Sequence, residues 1–263
     1  MSEREADQTF WEHLDVLRGV LMRILLAALL CGVLAFCCRE LLFDVILAPK
    51  DDDFVTYRLI NRIGGWFGSQ AVEFHVPLIN TALAQQFMIH MKMAFSAGLL
   101  CVSPYILYQL MLFIAPALHD NERRYINRVV GAGYAMFLAG MLLSYFLIFP
   151  LTFRFLGTYQ VAEDVVNTIT LDSYVSTLMG MSLMMGLVFE LPILCWLLAK
   201  MGILDGSAMR RYRRHAIVII LIVAAVITPT SDLFTLSLVS LPMWLLYEIS
   251  IRVVSKTKKQ QLS

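Results

Sequence analysis

Long apolar runs separated by short polar segments dominate this chain. Residues 20–38, 93–113, 129–149 and 178–199 form four runs of about membrane-crossing length, since a helix needs ~20 apolar residues to cross ~30 Å of hydrocarbon. Two further runs differ. Residues 216–227 number only 12, ~18 Å at 1.5 Å per residue. Residues 233–251 are interrupted by Pro242 and carry Glu248 near their end. The short fifth run requires a thinned bilayer, flanking polar atoms or burial in a bundle; a re-entrant hairpin is the alternative. Before the first run, Thr9-Phe-Trp-Glu12 has the form of a capping box and predicts a helix start there. Phe10, Leu14, Leu17 and Leu21 then fall on one stripe. That stripe suits an interfacial helix leading into the membrane, with a binding surface as the alternative.

Composition turns this pattern into a class. Of 263 residues 59% are hydrophobic and 16% charged, net charge is +1, and mean hydropathy is +0.71. Soluble domains average ~45–50% apolar and ~25% charged residues. So apolar a chain excludes a disordered protein, and its neutrality argues against a nucleic-acid partner. The expected fold is all-α, a polytopic membrane protein with six spans in a single membrane domain, residues 1–263. Residues 1–19 form an amphipathic start and 252–263 a tail.

Charge sets the orientation. With six spans, one side collects fifteen of the 21 basic residues, in the two tails and around Arg123, Arg124, Arg128 and Lys200–Arg214. The other side holds Arg39, Lys50, Arg58, Arg62 and Arg154. The positive-inside rule therefore places both termini in the cytoplasm, with outer loops near 39–89 and 150–176. No signal peptide is visible at the start, so the first span is retained, and the lack of a transit peptide favours a bacterial cytoplasmic (inner) membrane.

Candidate chemistry is sparse. No phosphate loop, zinc-binding H-E-x-x-H or nucleophile elbow occurs, and the five histidines and five cysteines show no ligand spacing. No catalytic residue, cofactor or metal is expected. Glu190 stands out, inside a span in Val-Phe-Glu190-Leu-Pro192. Such a group is costly and faces a bundle interior or a wet cavity; the plainer reading is a protonated glutamate bonded to a neighbouring helix. Pro192 frees a backbone carbonyl and bends its helix. Asp232 follows the Thr-Pro-Thr-Ser turn, where it is placed to cap the last helix. The loop Phe113-Ile-Ala-Pro116-Ala-Leu118-His-Asp-Asn-Glu122-Arg123-Arg124 mixes an aromatic, acids and arginines. Its carboxylates suit guanidinium ligands, or else pair with the loop's own arginines.

Taken in order, these segments resemble the TatC subunit of the twin-arginine protein translocase. The resemblance runs from about residue 9 to 252. It is carried by His13-Leu-Asp-Val-Leu-Arg18, Ser103-Pro-Tyr-Ile-Leu-Tyr-Gln109, Phe113-Ile-Ala-Pro-Ala-Leu118, Glu122-Arg123-Arg124, Phe149-Pro150, Phe189-Glu-Leu-Pro192, Thr228-Pro-Thr-Ser-Asp232 and Leu241-Pro242. It implies a glove-shaped bundle of six helices, the core receptor for paired arginines in signal peptides of folded cargo. Implied partners are single-span TatA and TatB-like subunits, further TatC copies and membrane lipid, with the proton-motive force driving export. Arg18, Phe113, Pro116, Leu118 and Glu122 are implied to bind the signal peptide. Glu190, Pro192 and Asp232 are implied to serve partner helices or translocation.

One departure matters. The family's H-L-x-E-L-R glutamate is Val16 here. Glu12 lies one turn earlier and only ~40° round the helix from Val16, whereas Asp15 is ~100° away; Glu12 is therefore the expected second carboxylate. The last outer turn is also one residue longer than the usual family form. The alternative function is a proton-coupled small-molecule transporter relaying through Glu190. The lack of an internal repeat and of a second buried ionisable cluster weakens it.

Overall fold

The computed structural model describes residues 3–66, 77–114, 126–159, 168–228 and 232–262, with side chains described over 14–62, 77–113, 126–159, 168–228 and 232–257. Within these, helices α1 (Glu3–Cys37), α2 (Arg39–Leu47), α3 (Val55–Trp66) and α4 (Gln85–Ile114) precede α5 (Ile126–Leu143). A π-helical turn, Ser144–Ile148, joins α5 to α6 (Phe149–Thr158). Then come α7 (Leu171–Phe189), α8 (Leu191–Lys200), α9 (Gly206–Arg211), α10 (Arg213–Ile227) and α11 (Leu233–Leu262). Among the described residues five stretches are long and apolar enough to cross a membrane: Leu14–Cys37, Gln85–Phe113, Ile126–Thr158, Leu171–Lys200 and Leu233–Thr257. The short run at 216–227 lies in α10, whose 15 residues span ~22 Å.

One sequence expectation needs correcting. The first helix starts at Glu3, not at Thr9. Glu3-Arg-Glu-Ala-Asp-Gln8 is rich in helix formers with acids in the first turn, which outweighs the local preference of a threonine for the cap. The amphipathic start and the first apolar run consequently form one uninterrupted helix. Between the first two spans, the described residues 39–66 carry α2, a 3-10 turn over Ala48–Lys50 and α3. A minimal parallel strand pair is also present: β1 (Leu78–Ile79) pairs with β2 (Ile169–Thr170), Leu78 opposite Ile169.

The chain divides into two compact units. In the first, Met1–Arg39 with His90–Ala135, α1 and α4 meet through small residues. A Cβ on Gly98 would lie 2.7 Å from Gly32 Cα and 3.0 Å from the Ala28 carbonyl oxygen. Ala28 and Ala94 are both buried. With no hydrophobic drive between helices in lipid, such backbone approach supplies the packing. Phe36 also stacks on His90, ring centroids 4.0 Å apart.

In the second unit, Glu40–Ile89 with Met136–Ser263, hydroxyls tie α2 and α3 to the spans. Tyr174 donates to the Ile46 carbonyl at 3.0 Å, Tyr57 to that of Pro150 at 3.0 Å and Tyr145 to that of Val45 at 2.5 Å. Burial raises the Tyr57 phenol well above its ordinary value, against the opposing pull of Arg154, so Tyr57 remains a donor. Thr56 donates to the carbonyl of Phe146. That carbonyl sits four residues before Pro150, which has no N–H to offer it. The π turn is closed by the Phe149 N–H bonding Ser144, five residues back. Deeper in, aromatic rings lie on glycines: a Cβ on Gly186 would meet the Phe137 ring at 2.8 Å. On the other side of the unit a small core gathers Cys195 and Ala199 of α8, Met209 of α9, and Ile251 and Val254 of α11.

Gly98→Ala should destabilise the protein by about 1–3 kcal/mol, because the α1–α4 backbones must part. Gly131→Ala, with nothing within 4 Å, should be neutral or stabilising through helix propensity. Thermal unfolding of the two purified variants in one detergent checks this; equal midpoints would refute the close crossing.

Candidate functional site

The crossing of α1 and α4 sets the depth of the expected peptide-binding residues. Arg18 lies 14 residues before Gly32, and Phe113 lies 15 residues after Gly98. At 1.5 Å per residue these are ~21 and ~22 Å along their helices from the crossing. Because α1 runs towards the crossing and α4 away from it, both residues fall on the same side. Arg18 is exposed, Phe113 is half-buried in the last turn of α4, and Asp15 and Val16 are exposed. Glu12 belongs to α1, but its side chain lies outside the described residues, as do Pro116, Leu118 and Glu122 entirely.

Pro104 illustrates how α4 stays helical despite a proline inside it. The Leu100 carbonyl, four residues back, accepts the Ser103 hydroxyl at 2.7 Å. The residue before the proline thus replaces the missing N–H, as hydrocarbon requires.

Glu190 marks the break between α7 and α8. Pro192 sits in the first turn of α8, and the Glu190 N–H is directed at the carbonyls of Leu187 and Val188. Its hydrogen bond is to the Leu187 carbonyl, three residues back at 3.1 Å, a tightened turn at the break between the helices. The Glu190 side chain is half-buried. Its Oε1 is buried with no hydrogen-bond partner among the described residues. The glutamate bonded to a neighbouring helix, the plainer expectation, is thus not what Oε1 displays. Desolvating a carboxyl oxygen without a partner is costly, and nothing in the local packing repays it.

Asp232 does what its position suggests: its Oδ1 accepts the Thr235 N–H at 2.7 Å and caps α11. Glu248 pairs with Arg213 at 2.7 Å, joining the start of α10 to α11. Among the described residues no group of three or more His, Cys, Asp or Glu side chains is placed to hold a metal.

A family model described as "Sec-independent protein translocase protein (TatC)" matches residues 12–242. The chain belongs to the TatC family. A TatC protein of Blattabacterium is 32% identical over 98% of this chain and 100% of its own length. One from Deinococcus radiodurans is 34% identical over 94% and 85%. A crystal structure titled as the twin-arginine translocase receptor TatC superposes with a TM-score of 0.75 at 28% identity, covering 94% of this chain and 99% of that one. The all-helical polytopic membrane architecture agrees with that likeness.

In a TatC protein an unpartnered carboxyl oxygen within a span should be a stability cost. Glu190→Leu, which removes the desolvated oxygens at similar volume, should raise stability by roughly 1–3 kcal/mol. A thermal midpoint in detergent that falls or stays put would show that Glu190 is satisfied after all.

Proposed function

We propose that this chain is the receptor subunit of a twin-arginine translocation system, recognising paired arginines of signal peptides on folded cargo and acting without covalent chemistry. The observation that carries the reading is the family match along residues 12–242, backed by relatives of full length. On this reading the protein lies in a bacterial cytoplasmic membrane with both termini cytoplasmic, beside TatA and TatB-like single-span subunits and further copies of itself. Export draws on the proton-motive force.

Recognition then falls to the side of α1 and α4 that carries Arg18 and Phe113. Glu122 and Glu12 supply carboxylates for the two guanidiniums, each able to accept paired, charge-assisted hydrogen bonds. Phe113, Pro116 and Leu118 hold the apolar part of the peptide, and Arg18 fixes the acidic groups beside it. Glu190, Pro192 and Asp232 serve the later step, in which partner helices or the inserting peptide meet the spans. A transporter relaying protons through Glu190 is less well supported, since its Oε1 has no hydrogen-bond partner among the described residues to pass a proton on.

A labelled twin-arginine leader should crosslink at Phe113 and Glu122 in membranes containing the full chain. Exchange of its arginine pair for lysines should abolish binding, because lysine lacks the bidentate fork. Glu12→Ala and Glu122→Ala should each weaken binding roughly 10- to 100-fold, the loss of ~1.5–3 kcal/mol in charged hydrogen bonds. Crosslinks that fall elsewhere would overturn the receptor assignment. A loss at Glu122 with none at Glu12 would overturn only the role of Glu12. Separately, Glu190→Ala should reduce export in whole cells while peptide binding stays within about twofold; an equal loss of both would place Glu190 in the receptor site.

A further inference from the structure

One face of α11 is open. Leu241, Leu245 and Ile249 follow each other at four-residue spacing and are 62%, 47% and 45% exposed. They form one wall of a groove of about 600 Å³, with Leu147 and Phe189 opposite. Ser237 is the single polar residue of its lining, and its hydroxyl is spent on the Leu233 and Phe234 carbonyls. The groove therefore offers almost entirely methyl and methylene surface.

The same helical face changes character beyond Ile249. Arg252 and Lys256 continue it at three and then four residues, and both are exposed. Glu248, four residues before Arg252, is the last Asp or Glu in the sequence. Glu248 lies to one side of the face and is held by Arg213 at 2.7 Å. A charged pair of this kind belongs at the edge of the hydrocarbon rather than within it, so the apolar groove ends where the polar boundary begins. From Ser237 to Ile249 the groove runs ~18 Å along the helix, against ~15 Å for half of a ~30 Å hydrocarbon layer.

We propose that this face is a binding site for one anionic phospholipid. An acyl chain lies along Leu241, Leu245 and Ile249, and the headgroup phosphate accepts hydrogen bonds from Arg252 and Lys256. Length, lack of polar lining and placement of the charges all fit a molecule with a long apolar chain and a negative head. A wholly apolar partner helix would leave Arg252 and Lys256 without the counter-charge that an anionic headgroup supplies. Clustered basic residues at the cytoplasmic end of membrane helices are suited to acidic headgroups. The proposal stands independently of any signal-peptide binding.

Native mass spectrometry of the full chain, purified in detergent, tests it with phosphatidylglycerol and phosphatidylcholine of identical acyl chains. The wild type should retain phosphatidylglycerol in preference. The double variant Arg252→Gln/Lys256→Gln should retain roughly tenfold less of it, with phosphatidylcholine unchanged. Leu245→Trp, which fills the groove, should lower retention of both. Equal retention of the two lipids by the wild type, or a double variant that behaves like it, overturns the proposal. Displacement of the lipid by millimolar inorganic phosphate overturns it in favour of a soluble anion. If Leu245→Trp spares lipid but removes a co-purifying single-span protein, the occupant is a helix and the proposal fails. Should Leu245→Trp not fold, the charge variant, altered only at exposed positions, decides alone.

Discussion

Hydrocarbon offers no hydrogen bonds, so a backbone carbonyl without its N–H partner must be served from within the protein. This constraint governs the spans here because prolines recur in them. Three prolines answer it in different ways, two of them with a substitute donor for the carbonyl four residues back. Ser103 serves Leu100 ahead of Pro104. Thr56, from a helix in the outer segment, serves Phe146 ahead of Pro150. At Pro192 the helix breaks instead, and the Glu190 N–H turns back to the Leu187 carbonyl at 3.1 Å. The first solution is local and keeps α4 continuous. The second reaches across 90 residues and accompanies a π turn. The third divides one span into α7 and α8.

The third solution connects backbone chemistry to the polar residue of greatest interest. Glu190 is the hinge between two helices, its N–H turned back to the Leu187 carbonyl, and its side chain is placed where Oε1 has no hydrogen-bond partner among the described residues. A residue chosen for stability alone would be apolar at that point. The carboxyl thus sits at a position where the backbone is already irregular, and irregular backbone at membrane depth is tolerated where it is buried in protein or lines a cavity. Structural break and costly side chain share one site, which is the pattern expected of function rather than of packing.

The apolar runs could be read directly because ~20 residues without charge have few other uses, and the family's short motifs gave the order of the spans. Element ends were less legible. The capping box at Thr9 is a real local preference, yet six helix-forming residues before it extend α1 to Glu3. Helices α2 and α3 are nine and 12 residues long and carry no span-like signal. What fixes them is remote, since Tyr174 reaches Ile46 across 128 residues and Tyr57 reaches Pro150 across 93. Gly98 reads in sequence as one small residue among apolar neighbours; only the approach of Gly32 shows why a larger one does not fit. At the site, Asp232 was legible as a cap because capping is local. The Arg213–Glu248 pair was not, because two helices must return side by side before it exists.

The two ends of α11 show how one helix serves two solvents. Asp232 closes its first turn by accepting the Thr235 N–H, which also suits the positive end of the helix dipole. Beyond Glu248 the helix continues past the polar boundary, where Ile251 and Val254 turn inward onto Cys195, Ala199 and Met209, while Arg252 and Lys256 face outward. Arg210 and Tyr247 add hydrogen bonds to Ser255 and to the Met209 carbonyl, holding α9 against it. A Cβ on Gly206 would collide with Ser255, so α9 docks closely only because its first residue has no side chain. The helix is therefore anchored on its inner face by packing beyond the membrane edge, which leaves its outer face free along the groove. An exposed apolar face followed by positive charge is stable only against a solvent that is itself apolar and then anionic, and a bilayer leaflet has that order.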